Sequence, residues 1–357
     1  MIEVIKNTQS EHRGVDEVRA NLYSLILLSY VDTMSGLDPW VERVHGELSP
    51  ERRWLNTVVM DGLHYTLVPV RDVGSFPEYL QDMENTPALE LRQRLLGEYE
   101  LRAIRRDPAS GLSVEEALKS PENYLTYLAD RYRSLDDEPN SRAHQIERAA
   151  YELIVNPDRM KSVVLEHLHY MWNVYLKKEW ERRRPALEEF AKLQHGLNTT
   201  SFIPNIISCN METAQELQTW ISQAREVRFC PSPHVGPYFG KMRRGSLVVI
   251  FYGEGSIRRE KGGGFGQSQM TQMFQALGDE SRMEIVGLLL SRGRLSQPEI
   301  MEACGFSASG ASRQLKLLSA LDLIEEQRCE GTKNMKCYQV NRETFTALAQ
   351  SIIHWVG

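Results

Sequence analysis

Apolar positions recur at three- and four-residue spacing along the first two-thirds of the chain, and polar punctuation separates the runs. Ser49-Pro50 puts a capping residue and a proline ahead of "ERRWLNTVVMD", with Gly62 as the stop. Thr86-Pro87 repeats the device before "ALELRQRLLGEYELRAI", and "SVEE" at 113–116 reads as a capping box in which Glu116 reaches back to Ser113. Further helices are predicted over 122–134, 141–155 and 158–182. Pro185 reads as a break ahead of "ALEEFAKLQ", and "METAQELQTWISQA" as one more helix.

The period then changes. "EVRFCPSPHVGPYFGKMRRGSLVVIFYGEG" is rich in β-branched and aromatic residues cut by Pro and Gly, which predicts short strands at 226–230, 236–240 and 246–252. "GEGSIRREKGGGFGQSQ" follows without apolar periodicity. Its "GGGFG" lacks the Lys-Ser/Thr of a phosphate loop and has no βαβ unit around it, so it reads as a linker. The expected organisation is a mostly helical domain over 1–255 with a small β unit near 226–252, a Gly-rich linker over 256–267, and a second domain over 268–357.

The last 90 residues parse as helix, helix, helix, short Gly turn, helix, hairpin, helix. That order is a winged helix-turn-helix, so the fold class is mainly α with small β elements. "SASGASRQLKLLSALDLIEE", at 307–326, is the informative stretch. Ser307 caps a helix whose Ala311, Leu315 and Leu318 recur at core spacing. Its bare, polar front (Ser307, Ser309, Gly310, Ser312) lets backbone approach a major groove, and Arg313, Gln314 and Lys316 supply donors for base edges and phosphates. Arg328, Lys333, Asn334 and Lys336 put polar and basic groups on the wing. Double-stranded DNA is the expected partner.

Residues 274–341, "FQALGDESRMEIVGLLLSRGRLSQPEIMEACGFSASGASRQLKLLSALDLIEEQRCEGTKNMKCYQVN", resemble the ArsR/SmtB-type winged-helix repressors over about a quarter of the chain, every element in register. The resemblance implies a homodimer built on the first and last helices of the domain, which here carry Met270, Met273, Phe274 and then Phe345, Leu348, Ile352, Trp355. There are departures. Asp322 replaces the usual Gly before the wing. Ser296-Gln297-Pro298 stands where the family's helix metal site has Cys-x-Cys, and the closing helix offers only His354. No metal or other cofactor is therefore expected. "MWNVYLKKEWERRRPALEEF", "VRFCPSPHVGPYF" and "LVVIFYG" also resemble segments of a group of long ArsR-type regulators, whose front domain the resemblance leaves without a ligand.

Trp172, Tyr175, Trp180 and Arg182, Arg183, Arg184 are candidate ligand contacts. The competing reading is that Trp172, Tyr175 and Leu176 are core and "KKEWERRR" is a solvated face. Trp40, Trp54, His64 and Tyr65 have the same standing, and His167 and His169, two apart, fall on different helix faces. No nucleophile elbow, zincin helix, Cys-x-x-Cys or dinucleotide fingerprint is present, so an enzyme is not expected.

Charge changes the picture little: the net charge is −6, and residues 268–357 hold 9 Lys+Arg against 10 Asp+Glu. That excludes a generalised nucleic-acid coat but leaves room for one basic edge. No apolar run approaches a membrane span and no signal pattern opens the chain, so the expected setting is cytoplasmic, without a membrane. Five scattered cysteines suit reduced thiols. The sequence thus predicts a dimeric transcription regulator, a repressor, whose front domain senses a small-molecule or protein effector. Two alternatives stay open. One is a redox-responsive regulator in which Cys329 and Cys337 pair across the wing. The other is an enzyme-like front domain fused to a winged helix used for protein contact.

Overall fold

Side-chain caps set most helix starts. Ser49, Ser75, Ser113, Ser120, Asn156, Asp279 and Ser307 each accept a hydrogen bond from the backbone N–H three residues on. At Ser113 the reciprocal bond from Glu116 completes the predicted box. The computed structural model describes residues 10–106, 110–131, 135, 141–193, 211–257, 264–329 and 335–356. In chain order the elements begin with β1 (Ser10–Arg13), α1 (Glu17–Leu28), α2 (Pro39–Glu47), α3 (Pro50–Thr57), α4 (His64–Leu67), α5 (Phe76–Asn85) and α6 (Ala88–Arg106). There follow α7 (Val114–Ala117), α8 (Pro121–Ala129), α9 (Arg142–Ile154), α10 (Pro157–Met171), α11 (Lys177–Leu193) and α12 (Met211–Gln223). Then come β2 (Glu226–Pro231), β3 (Gly240–Arg244), β4 (Leu247–Tyr252), α13 (Gln267–Leu277), α14 (Glu280–Arg292) and β5 (Leu295–Ser296). The last elements are α15 (Gln297–Cys304), α16 (Ala308–Ala320), β6 (Ile324–Arg328), β7 (Lys336–Val340) and α17 (Arg342–Val356). The fold is mainly α with two small sheets, and no helix among the described residues is long and apolar enough to cross a membrane.

The chain forms two compact units interleaved in sequence. One holds residues 1–15, 30–42 and 186–357; the other holds 16–29 and 43–185. The winged helix therefore shares a unit with the β elements and with two short pieces from the start of the chain. Half of the expected 256–267 linker, residues 258–263, lies outside the described residues. Its flanks are ordered: Gln269 Nε2 donates to Ile257 O at 2.8 Å, and Phe265 N–H donates to Ser351 Oγ at 2.8 Å.

In the winged-helix unit a four-stranded sheet runs in the order β1-β2-β4-β3, with β1, β2 and β4 parallel and β3 antiparallel to β4. Strand β4 is buried from Val248 to Tyr252, which is why "LVVIFY" shows no alternation. Phe190 of α11 and Leu217 of α12 pack on this sheet with Phe229 and Tyr252. Two expectations change. The strand predicted at 236–240 begins only at Gly240, because 232–239 is a buried loop with its own role below. Strand β1 has no apolar pattern to predict it, since it is an exposed edge paired only with β2. Pro185 does not break its helix either: α11 runs through it, with the proline on the exposed face where solvent can satisfy the carbonyl it orphans.

The other unit is helical. Two π turns, Val58–Gly62 after α3 and Trp172–Leu176 before α11, shift register inside long helical runs. An alanine Cβ at Gly62 would lie 2.7 Å from the Ala150 Cβ, so the first turn lets α9 pack directly on the backbone. Trp172 stacks on Phe76 with centroids 4.8 Å apart, and Trp172, Leu176 and Trp180 are buried. These tryptophans are core, and only part of "KKEWERRR" is solvated: Glu179 is buried and pairs with Arg182 and Arg183. His167 is buried as well. Its Nε2 meets Asn56 Oδ1 at 3.1 Å, while Asn56 Nδ2 donates to Leu25 O and Ser29 Oγ. Both Asn56 amide hydrogens are used, so Nε2 carries the His167 proton. Burial, with Arg52 nearby, pulls its pKa down to about 4.

Three buried tyrosines, Tyr65, Tyr99 and Tyr124, surround two carboxyls in the same unit. Burial pushes Glu147 up to about 8, against a hydrogen bond from Tyr124, and Asp61 up to about 7, against Arg142. Each folded pKa lies above its unfolded value near 4. Between pH ~4 and ~8 the folded state therefore holds protons that the unfolded state has released, and stability falls as pH rises. Urea denaturation at pH 5.5 and pH 8 should show wild type losing stability over that interval and Glu147→Gln losing less. An equal loss in both proteins would contradict the assignment.

Candidate nucleic-acid interface

The C-terminal winged helix is built on one core. Met270, Met273 and Ala276 from α13, Ile285, Val286 and Leu289 from α14, Ile300 from α15, Leu315 and Leu318 from α16, Tyr338 from β7 and Leu348 from α17 pack together. The turn between α15 and α16 is set by Gly305, which lies in the left-handed region and returns its N–H to Met301 O. Ser307 then caps α16 by accepting from Gly310 N–H at 3.1 Å. The small sheet has the order β5-β7-β6, with β6 and β7 forming the wing. Asp322 sits at φ +58, which explains why a glycine suits that position; Thr344 Oγ1 donates to its carboxylate at 3.3 Å.

Ser307, Ser309 and Lys316 are exposed, and Gly310, Ser312, Arg313 and Gln314 are half-buried. The helix carries Arg313 and Lys316 and no acidic residue. Gln314 is fixed: its Oε1 accepts from Arg282 Nη1 at 3.0 Å, which leaves its amide N–H groups as donors. Two further donors of Arg282 go to Ala276 O and Gln275 O, carbonyls in the last turn of α13, and Asp279 lies 3.8 Å away. Arg282 thus joins the last turn of α13 to Gln314 of α16, a role that its place in "ALGDESR" does not reveal. On the wing, Arg328 and Lys336 are exposed cross-strand partners, and Lys336 pairs with Glu326 at 3.0 Å. Lys333 and Asn334 lie outside the described residues.

Met270, Met273 and Leu348 are buried in the chain's own core, with Phe345 and Ile352 packed against it. Phe274 (49 % exposed) and Trp355 (66 %) remain on the surface. Met283, Leu290, Ile353 and Val356 are exposed too, and apolar spacing alone did not separate them from core positions. Cys329 and Cys337 are joined by a disulfide with Cα atoms 5.1 Å apart, against the expectation of reduced thiols. Hairpin register explains the bond. Cys337 faces Gln327 and Cys329 N–H donates to Met335 O, so the cysteines are diagonal neighbours on one face. Cys230 is buried and Cys304 half-buried. Among the described residues, no group of three or more His, Cys, Asp or Glu side chains is placed to hold a metal ion.

The feature that sequence reasoning missed is what flanks α16. Leu317 lies off the Ala311–Leu315–Leu318 stripe, yet it is only 3 % exposed. Gly36 covers it: a Cβ there would lie 2.6 Å from Leu317 Cδ1. The covering segment, residues 30–42, is held by the loop at 232–239. Trp40 stacks on His234 at 4.2 Å, Tyr238 Oη donates to Ser35 O at 2.6 Å, and Gly236, at φ +64, approaches Gly36 O so closely that a Cβ would lie 2.5 Å from it. Trp40 is therefore a structural anchor. Leu317, Arg313, Met34, Ser35 and Glu42 line a cavity of about 430 Å³ along this seam.

Arg282→Ala removes charge-assisted bonds to two carbonyls and to Gln314. Chemical denaturation should show a loss of about 1.5–3 kcal/mol, and a change within 0.5 kcal/mol would deny Arg282 its bridging role. No protein-family model matches the chain, and none of the curated proteins is significantly similar to it.

Proposed function

We propose that this protein is a sequence-specific DNA-binding transcription regulator, a homodimeric repressor whose front region answers to an effector. The observation that carries the reading is α16: in a chain of net charge −6, this helix holds two cations and no acid, and it opens on an exposed front of small hydroxyl residues. The ArsR/SmtB-like pattern over 274–341 supports the same reading, and surface Phe274 and Trp355 on the first and last helices of the domain support the dimer.

The test is fluorescence anisotropy on the protein's own upstream DNA against a scrambled duplex at several salt concentrations. Arg313→Ala should cost about 1–3 kcal/mol on the specific duplex, and Lys316→Ala should lower the salt slope by about 1. Equal binding to both duplexes, unchanged in both variants, would discard the reading and turn attention to protein contact.

The wing disulfide favours a second, compatible reading, redox control of DNA binding. With a peroxide as oxidant, one cysteine thiolate attacks the O–O bond and becomes a sulfenic acid, releasing the first water after protonation. The other thiol displaces the sulfenic oxygen as a second water, and the S–S bond forms. Intact-mass alkylation should count two fewer thiols after peroxide, and operator affinity should change in wild type but not in Cys337→Ser. Identical affinity for the reduced and oxidised protein would eliminate redox control.

A further inference from the structure

The cavity beside α16 has the size of a small-molecule site and an unusual wall. Its volume of about 430 Å³ lies within the range of ligand pockets. Met34, Leu317 and Leu321 supply its apolar lining, and Arg313, one turn before Leu317 on α16, supplies a cation beside them. The Arg313 Nε is buried without a hydrogen-bond partner, and among the described residues its guanidinium has no ion pair. A buried N–H left unpaired is costly, and a ligand oxygen reaching the Nε edge of this half-buried guanidinium would relieve that cost. The other guanidinium of the lining, Arg282, is already engaged by carbonyls and Gln314, so one cation is open. Glu42 is exposed and also lines the cavity, where its charge opposes a dianion such as a phosphate monoester.

We propose that this cavity binds a small monocarboxylic acid with an apolar body, its carboxylate on Arg313 and its chain against Met34, Leu317 and Leu321. A guanidinium fork accepts a carboxylate in two parallel hydrogen bonds, and the leucine and methionine side chains give the rest of the molecule an apolar bed. The site deepens the DNA-reading proposal and rests on it for one consequence. Arg313 is also a proposed base contact, so an occupant that takes its guanidinium removes it from DNA. The ligand then acts as an inducer, by competition for one side chain.

Octanoate is the probe, with octanol as its neutral counterpart, titrated by calorimetry into the full-length protein without DNA. Octanoate is expected to bind at one site per chain, with octanol, Arg313→Gln and Met34→Trp each weakening binding about tenfold or more. Met34→Trp fills the cavity and leaves Arg313 in place, and the thermal midpoint of each variant shows whether it is folded. No octanoate binding, or equal binding to wild type and both folded variants, overturns the site. Anisotropy separates the two proposals. If octanoate binds through Arg313 while the protein binds no DNA, the site stands and the DNA reading falls. If DNA binds and octanoate does not, the reverse holds. If both bind, octanoate should weaken operator binding in wild type and not in Met34→Trp; an undiminished operator affinity at saturating octanoate overturns the inducer role.

Discussion

Much in the winged-helix unit depends on one three-way contact, in which Gly36 lies between Gly236 and Leu317. Neither neighbour leaves room for a side chain at the crossing. Gly236 must also hold a left-handed conformation to turn its loop toward the seam. Once the crossing is made, the flanking contacts follow: Trp40 reaches His234, Tyr238 reaches the carbonyl of Ser35, and the flank of α16 is closed over Leu317. A winged helix ordinarily buries the inner face of its recognition helix. Here Leu317, off that face, is covered as well by Gly36 from the start of the chain.

The helical unit solves a different problem. It joins helices through buried polar side chains. Asn56 spends both amide hydrogens on α1 and its oxygen on His167, tying α1, α3 and α10 with one side chain. The tyrosines around Asp61 and Glu147 give a proton-holding cluster at the π turn, where the extra residue of that turn and Gly62 bring α9 close.

What was legible in the sequence was local. The caps at Ser49, Ser113 and Ser307, the αL turn at Gly305 and the wing register are all written in residues a few positions apart. The α16 core stripe was legible for the same reason. Leu317 was not, because besides packing in the winged-helix core it lies under Gly36, and no periodicity within α16 encodes that contact. Residues 236–239 looked like the start of a strand because Tyr238 and Phe239 are strand-favouring types; the loop at 232–239 instead staples a distant segment through His234 and Tyr238. Pro185 misled in the opposite sense, since a proline on a solvated helix face does not stop the helix. Among the site residues, sequence identified Arg313 as a donor but not that its guanidinium borders a cavity.

The crossing at Gly36 also sets an order of events. Ser35 and Tyr238 are 203 residues apart, and residues 43–185 of the helical unit lie between them in sequence. During synthesis the 30–42 segment emerges early and has nothing to dock on until the loop and α16 have followed. Closing that contact therefore takes long-range loop closure rather than local helix formation, the slower kind of step. For the same reason a fragment beginning at residue 256 lacks both Gly36 and the loop at 232–239, and Leu317 on α16 loses that cover.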